Sequence, residues 1–252
     1  MSELPRVPPG YRNVTIYGTK TKAYASGYDA KGRRQIIYNK WFIEKQRKHR
    51  FRKVLELEPV FESIIKDVDQ SISKARIQGH IATKALQIAL VIKIMVLCNF
   101  RVGSMKYLKQ YKTHGVTTLM WKHITFKNST VTIRFVGKKN VINESVCTEP
   151  TLYKLLKNMS VNHNAQDFVF SVSARDVNDF IKKYHPKATA KDIRTWRANI
   201  LFIKYYNEEA SDISSSKKAK NAVEKVATFL HNTPAVCKSS YIHPSILDIL
   251  KK

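Results

Sequence analysis

The C-terminal part of the sequence contains one tyrosine whose neighbours are suited to chemistry. The stretch ATFLHNTPAVCKSSYIHP, from Ala227 to Pro244, places Tyr241 after the adjacent pair His231 and Asn232, with few acids nearby. Tyr241 is therefore either a packed aromatic residue or a nucleophile that one of the two polar side chains assists. These residues alone leave open which neighbour would help.

Basic residues with distinct local contexts precede this tyrosine along the chain. FRVGSMKY places Arg101 at the end of a long apolar segment, and the following Gly103 allows a sharp turn. RFVGKKN predicts Lys138 at a hairpin tip, and AKDIRTW predicts Arg194 in a helix, one turn beyond Lys191. Singly, these residues are most simply backbone clamps or exposed charges. Their order and contexts together form the specific signal.

The composition indicates a polyanionic partner. The chain of 252 residues has 45 Lys and Arg against 19 Asp and Glu, which gives a net charge of +26. Such an excess is typical of nucleic-acid binding, although membrane surfaces also attract cations. The most apolar segment, residues 81–100, is interrupted by Lys84 and Lys93. It is therefore predicted to be a buried core helix, and no membrane association is expected.

No cofactor motif is present in the sequence. Gly137-Lys138 lacks the upstream glycine of a phosphate-binding loop, and Lys139 stands where Ser or Thr belongs. There is no H-E-x-x-H and no Cys/His cluster, while Asp67 and Asp69 are most simply the solvated face of a helix. The sequence predicts a protein without metal, ATP or other cofactors.

The cysteines and the N-terminus indicate where the protein works. Cys98, Cys147 and Cys237 are odd in number and widely spaced, so neither a disulfide framework nor a zinc site is expected. This pattern predicts an intracellular, reducing compartment. The segment MSELPRVPPGYRN has no apolar core typical of a signal peptide.

Hydrophobic periodicity predicts an α+β protein of two domains. VTIY, KAYASGY and RRQIIY predict a small antiparallel sheet, followed by a basic helix or linker from Trp41. Helices are predicted at Pro59–Ile77, at His80–Phe100 and after Ser104, with a three-strand insert (HITF, TVTIRFVG, NVINESV) before further helices. We therefore expect a β-rich N-terminal domain, residues 1–50, and a mostly helical domain, residues 51–252, with SDISSSKKAK (211–220) as a polar connector.

Several motifs in a fixed order resemble a known family. YDAKGRRQIIY, RVGSMKYLKQYKTHGVTTLMWKHI, IRFVGKKN, KDIRTWRAN and NTPAVCKSSYIHP are similar to segments of the type IB DNA topoisomerases of poxviruses, giant viruses and some bacteria. The resemblance runs from about Pro8 to the C-terminus. It implies a tyrosine recombinase/topoisomerase IB catalytic fold, with the N-terminal domain closing a clamp around duplex DNA.

The resemblance implies a chemical role for each residue. Tyr241 would attack a phosphodiester and form a 3′-phosphotyrosyl bond, while Arg101 and Arg194 would stabilise the negative charge of the transition state. Lys138 would protonate the departing 5′-oxygen. Strand rotation and religation would then relax supercoils without ATP or metal, because the phosphotyrosine conserves the energy of the bond.

The resemblance also favours Asn232 over His231 as the neutral helper. Poxvirus members carry a histidine nine positions before the tyrosine and directly before Thr-Pro, and Asn232 occupies that place here. Bacterial members resemble NTPAVC more closely and use asparagine, which can donate a hydrogen bond to a phosphate oxygen. His231 stands where the family usually has glycine, so it is a bystander or a competitor.

Residues expected to bind DNA come from the N-terminal domain and from the helix that carries the second arginine. They are Arg33, Arg34, Gln35, Tyr38 and Lys191. The chain departs from the poxvirus pattern in three respects. Ile36 replaces a groove-reading tyrosine, which puts the pentameric target preference in doubt, and Lys139 replaces an acid after the catalytic lysine. The match also begins well inside the family's N-terminal domain, which predicts a shortened clamp.

Two other interpretations remain at this level. A tyrosine recombinase uses similar chemistry but usually carries His-x-x-Arg, whereas this chain has Lys191-Asp192-Ile193-Arg194. A non-catalytic, basic DNA-binding protein would explain the charge but not the ordered motifs. The chain is expected to act as a monomer on duplex DNA. The low Gly and Pro content and the many Lys and Asn residues suggest a viral source, in the virion or a cytoplasmic virus factory, with a bacterial cytoplasm as the alternative.

Overall fold

The computed structural model describes residues 4–75 and 81–249, and the chain divides into two compact units, Met1–Lys53 and Val54–Lys252. The predicted α+β class is confirmed, since helices dominate and two three-stranded antiparallel sheets accompany them.

The first unit is built on the N-terminal sheet, in the order β1 (Arg12–Ile16), β2 (Ala23–Tyr28) and β3 (Arg34–Tyr38). Asp29 turns the chain between β2 and β3, where Gly32 has a φ of 69° that favours glycine. The helix α1 (Lys40–Glu56) begins in this unit and contains the division at Lys53. The predicted basic segment after Trp41 is thus a helix.

The second unit carries the remaining helices and the second sheet. Its sheet has the order β4 (Ile124–Lys127), β5 (Thr130–Val136) and β6 (Ile142–Cys147). The helices are α2 (Glu58–Ser73), α3 (Lys84–Cys98), α4 (Met105–Tyr111), α5 (Pro150–Met159), α6 (Ala174–Lys182), α7 (Ala190–Asn207), α8 (Ser215–Phe229), α9 (Pro234–Ser240) and α10 (Pro244–Ile249).

Helix α3 is the predicted core helix, and the structure confirms its burial. The hydroxyl of Thr83 accepts a hydrogen bond from the amide of Leu86 and fixes the first turn, so the helix begins at Lys84. The predicted start at His80 and the predicted end of the preceding helix at Ile77 lie outside the described residues. Within the described ranges, no helix is long and apolar enough to cross a membrane.

Two helix predictions need correction. Helix α8 begins at Ser215, inside the stretch predicted as a connector, because the Ser214 side chain accepts a hydrogen bond from the amide of Lys217. Helix α9 was not predicted. Its start carries a recognisable signal, since Thr233 caps the helix and Pro234 occupies the first turn.

The second unit contains two hydrophobic clusters. The larger includes α2, α3, α5, the second sheet and the start of α7, down to Ile193. The smaller begins at Ala198 and joins the rest of α7 to α8, Cys237, Tyr241 and Ile242. Arg194 lies between these two stretches of α7, so its side chain is placed where the two clusters meet. This junction holds the candidate site.

Candidate active site

Tyr241 lies immediately after α9 and is held by the short helix that precedes it. Its backbone amide donates to the carbonyl of Cys237 at 2.9 Å, and its side chain is 7% exposed. The ring packs in the smaller hydrophobic cluster, so the aromatic part is structural. The Tyr241 hydroxyl lies within hydrogen-bonding reach of Arg101, as a buried tyrosine hydroxyl usually has a polar partner.

Arg101 follows α3 in a loop that a neighbouring segment holds in place. The amide of Val116 donates to the Arg101 carbonyl at 2.9 Å, and the amide of Thr117 donates to the Val102 carbonyl at 2.7 Å. Gly115 packs so closely on this loop that an added Cβ would lie 2.4 Å from a backbone atom. No side chain fits there, so the loop conformation is fixed by backbone contact.

The Arg101 guanidinium contacts both Asn232 and Tyr241 of the C-terminal motif. Its Nη2 donates to Asn232 Oδ1 at 3.2 Å and lies 3.5 Å from Tyr241 Oη. These contacts span 131 and 140 residues of sequence. The fold therefore places the first arginine, the tyrosine and the asparagine in one group.

Asn232 and His231 occupy adjacent positions but point to different partners. Asn232 Oδ1 accepts a hydrogen bond from Arg101, whereas its Nδ2 is buried, and no hydrogen-bond partner for Nδ2 is found among the described residues. His231 has a φ of 51°, and its ring packs on Phe100 at 5.4 Å between centroids. Burial, followed by the charges of Arg194 and Arg101, lowers the pKa of His231 to about 4. The imidazole is therefore neutral at pH 7.

Arg194 is buried and held by two backbone carbonyls. Its Nη2 donates to the carbonyl of Leu230 at 2.7 Å, and its Nη1 donates to the carbonyl of Asn99. The guanidinium lies over the ring of Tyr241 at 5.4 Å from the centroid. Burial lowers the pKa of Arg194 to about 10, so the group still carries its charge at pH 7. A buried positive charge of this kind is costly unless an anion shares the site.

Lys138 lies in the loop of the β5–β6 hairpin, with an exposed side chain. Partial desolvation and then the charge of Arg101 lower its pKa, with smaller contributions from Lys139 and Lys191. The hairpin loop thus lies close enough to Arg101, and to Lys191 of α7, for their charges to act on Lys138. A lysine with a lowered pKa is a better proton donor than a free one.

The environment also favours ionisation of the Tyr241 hydroxyl. Burial by itself would raise the pKa of this phenol, but the charges of Arg194 and Arg101 and their hydrogen bonds outweigh it. The net effect lowers the pKa of Tyr241 below its usual value. A phenolate is a stronger nucleophile than a phenol.

Asn199 is a site residue that the sequence did not reveal. Its Nδ2 donates to the carbonyl of Tyr241 at 2.8 Å, and its Oδ1 accepts from the amide of His243 at 2.8 Å. The side chain therefore ties the backbone around the tyrosine to α7, the helix that carries Arg194. The available signal was an asparagine inside a helix, where this residue type is unfavourable without a partner.

The N-terminal residues predicted to bind DNA divide into two groups. Arg33 and Gln35 are both bound to the Asp29 carboxylate, at 2.6 Å for Arg33 Nη2 and 3.0 Å for Gln35 Nε2. Arg34 and Tyr38 lie on the other face of β3, where both are exposed. Arg34 also lines a shallow cavity of about 330 Å³ with Tyr17. Because these donors are bound to Asp29, Arg33 and Gln35 have fewer hydrogen-bond donors free to contact a ligand.

The arrangement is suited to phosphoryl transfer to a tyrosine. It combines a buried phenol of lowered pKa, two arginines, a lysine of lowered pKa and an unpaired amide donor. These groups match the negative charge that develops on phosphate oxygens during displacement. Across the part of the chain that the structure describes, no cluster of three or more metal-ligating side chains is found.

Comparison with known proteins supplies the class. The family model described as eukaryotic DNA topoisomerase I, catalytic core, matches residues 39–252. The chain belongs to this family and is a type IB DNA topoisomerase, an isomerase that acts on DNA.

The curated relatives include several viral enzymes. The chain is 28% identical to DNA topoisomerase I of Monkeypox virus, over 98% of this chain and 80% of the relative. It is 27% identical to DNA topoisomerase 1B of Acanthamoeba polyphaga mimivirus, over 97% of this chain and 77% of that protein. Among solved structures, the XerH site-specific recombinase bound to a palindromic difH substrate aligns with a TM-score of 0.47 and 17% identity, over 75% of this chain and 51% of that one.

Proposed function

We propose that Tyr241 is the nucleophile of DNA strand cleavage and forms a covalent 3′-phosphotyrosyl intermediate. One observation carries this proposal: Arg101 Nη2 lies 3.2 Å from Asn232 Oδ1 and 3.5 Å from Tyr241 Oη. A phosphate placed beside the phenol would meet the guanidinium and the amide at once. The lowered pKa of Tyr241 favours the attacking phenolate.

In this proposal, two arginines and one amide stabilise the transition state. The guanidinium groups of Arg101 and Arg194 present fixed donors to the non-bridging oxygens. The unpaired Nδ2 of Asn232 supplies a third donor from a neutral group. An anion at this position would also relieve the cost of burying the Arg194 charge.

Lys138 is proposed as the general acid. Tyr241 Oη forms a bond to phosphorus as the bond from phosphorus to the 5′-oxygen breaks, and Lys138 gives that oxygen a proton. Partial desolvation, followed by the charges of Arg101, Lys139 and Lys191, lowers the pKa of Lys138, which makes the proton transfer easier. Religation reverses these steps, so the free energy of the phosphodiester bond is conserved and supercoils relax without ATP.

We further propose that the enzyme holds duplex DNA as a monomeric clamp, to which the N-terminal unit contributes Arg34 and Tyr38. Both side chains are exposed on one face of β3, whereas Arg33 is already paired with Asp29. Arg34→Ala should therefore weaken DNA binding more than Arg33→Ala, in a filter-binding assay at fixed salt. Sedimentation of the complex would test the stoichiometry of one chain per duplex.

The catalytic proposal is tested by relaxation of a negatively supercoiled plasmid in EDTA without ATP. Wild type should relax the plasmid and form a covalent adduct with the 3′ side of the break. Tyr241→Phe should lose both activities yet retain DNA affinity, because it removes only the hydroxyl. Adduct formation by Tyr241→Phe would refute the assignment of the nucleophile, and an adduct on the 5′ side would refute the polarity.

The setting proposed for this activity is the reducing interior of an infected cell or its virions. The curated relatives described above are viral, and all three cysteines are free thiols. Proteomic detection in purified virions, compared with cytoplasmic virus factories, would distinguish the two locations.

A further inference from the structure

Two buried cysteines that take no part in the proposed chemistry lie in direct contact. Cys98 Sγ and Cys147 Sγ are 2.9 Å apart, and both side chains are buried. The residues are separated by 49 positions in sequence, so the contact is created by the fold. Cys98 is the last residue of α3, and Cys147 is the last residue of β6.

Each thiol belongs to an element that leads into the active site. Cys98 is three residues before Arg101 and directly precedes Asn99, the residue whose carbonyl accepts from Arg194. Cys147 ends the strand that pairs with β5, whose hairpin loop carries Lys138. A covalent bond between the two sulfurs would therefore link the arginine segment to the lysine hairpin.

We propose that Cys98 and Cys147 form an intramolecular disulfide when the protein meets a peroxide, and that this bond slows DNA cleavage. The sulfurs need to approach by only about 0.9 Å to reach the length of a disulfide bond. The contacts of Arg101 with Asn232 and Tyr241 are those of the protein with free Cys98 and Cys147 thiols. The approach would shift the end of α3 or β6, and errors of this size in catalytic geometry are expensive. The effect on rate rests on the role proposed for Arg101, whereas formation of the bond does not.

A peroxide can oxidise the two thiols to the disulfide in two steps. Cys147 is the first thiol to react, because its hydrogen bond with Cys98 lowers its pKa, whereas the same contact and burial raise the pKa of Cys98. The Cys147 thiolate attacks one oxygen of the peroxide, the O–O bond breaks, and the sulfur becomes a sulfenic acid. The other oxygen takes a proton from solvent and leaves as water or an alcohol. The Cys98 thiol then attacks that sulfur and expels a second water, which gives the disulfide.

The third cysteine provides an internal control. Cys237 is buried in the smaller cluster, and burial raises its pKa to about 12, so its thiolate is scarce. Its reaction with peroxide should be slow. After oxidation and denaturation, an alkylating reagent should therefore modify Cys237 but neither Cys98 nor Cys147.

The first experiment treats the full chain with hydrogen peroxide and then maps thiols by mass spectrometry. We expect the mass of the protein to fall by that of two hydrogen atoms. We also expect one pair of peptides to be joined through Cys98 and Cys147. Three alkylated cysteines, or a pair that includes Cys237, would overturn it.

The second experiment measures plasmid relaxation before oxidation, after it and after dithiothreitol. Wild type should lose roughly tenfold in rate on oxidation and recover on reduction. Cys147→Ala should keep its rate through the same treatment, and Cys147→Ser serves if the alanine variant folds poorly. A disulfide that forms without change in rate, or an equal loss in the variants, would overturn the proposed control of cleavage. Failure of reduced wild type to relax DNA would instead refute the proposed function.

Discussion

Asn232 offers the sharpest test of the proposed site, because its two amide atoms have different partners. Oδ1 accepts a hydrogen bond from Arg101, while Nδ2 is buried and has no partner among the residues that the structure describes. We predict that Asn232→Asp, which keeps the size and the acceptor but removes the donor, slows cleavage strongly. Asn232→Ala removes both atoms and should also slow it.

The size of the effect follows from one hydrogen bond to a charged oxygen. Such a bond contributes about 1.5–3 kcal/mol, which corresponds to a loss of roughly 10- to 160-fold in rate. Since Nδ2 has no partner to lose before DNA binds, most of this energy should appear in the chemical step rather than in DNA affinity. Asn232→Asp should lose more than this amount, because its added charge faces the phosphate.

The assay is single-turnover formation of the covalent adduct on a duplex whose 5′ leaving strand is short enough to dissociate. The matched control is His231→Gly, because glycine suits the φ of 51° and the neutral imidazole packs on Phe100 rather than on Arg101. The control should cleave at nearly the wild-type rate. If His231→Gly loses as much as Asn232→Ala, or if Asn232→Asp cleaves normally, the assignment of Asn232 is wrong.

Four further predictions concern the support of the site and its proton donor. Gly115→Ala should destabilise the protein by about 1–3 kcal/mol and impair cleavage, because the added Cβ would lie 2.4 Å from a backbone atom. The control is Gly10→Ala, whose added Cβ meets nothing within 4 Å and should have neither effect. Thermal melts and adduct assays measure the two effects. Asn199→Ala should slow adduct formation at unchanged DNA affinity, because it frees the backbone at Tyr241, and an unchanged rate would refute its positioning role. Lys138→Ala should lose roughly 10²–10⁴ in cleavage of ordinary DNA but little on a substrate with a 5′-sulfur leaving group, which departs without a proton. Because Lys138 acts while protonated and its pKa is lowered, wild-type cleavage should fall with rising pH below the ordinary lysine pKa of 10.5, and a profile that keeps rising there would contradict this role.

The N-terminal residues that were predicted to bind DNA differ in the partners that they already have. The resemblance predicted that Gln35 binds DNA, yet its amide is bound to Asp29, as is Arg33. The sequence predicted Gln35, Arg34 and Tyr38 as DNA-binding residues, whereas in β3 Gln35 lies on one face and Arg34 and Tyr38 lie on the other. Strand alternation makes that separation unavoidable, since adjacent residues of β3 point in opposite directions.

The sequence by itself determined the elements and the chemical groups. Periodicity predicted the strands of both sheets and most helices, and the ordered motifs supplied Arg101, Lys138, Arg194, Asn232 and Tyr241 as candidates. These signals are local, because turns, caps and apolar repeats act within a few residues. Where a local signal was subtle, as at the Ser214 cap, the prediction was wrong by several residues.

Only the tertiary structure decided how these groups meet. The bond from Arg101 to Asn232, the two carbonyls that hold Arg194, the tie from Asn199 to Tyr241 and the contact of Cys98 with Cys147 all join distant segments. Such contacts depend on how two hydrophobic clusters pack around α7, and no local pattern encodes that packing. The chain therefore specifies its chemistry residue by residue, whereas burial and long-range packing set the pKa values and the geometry that make the chemistry possible.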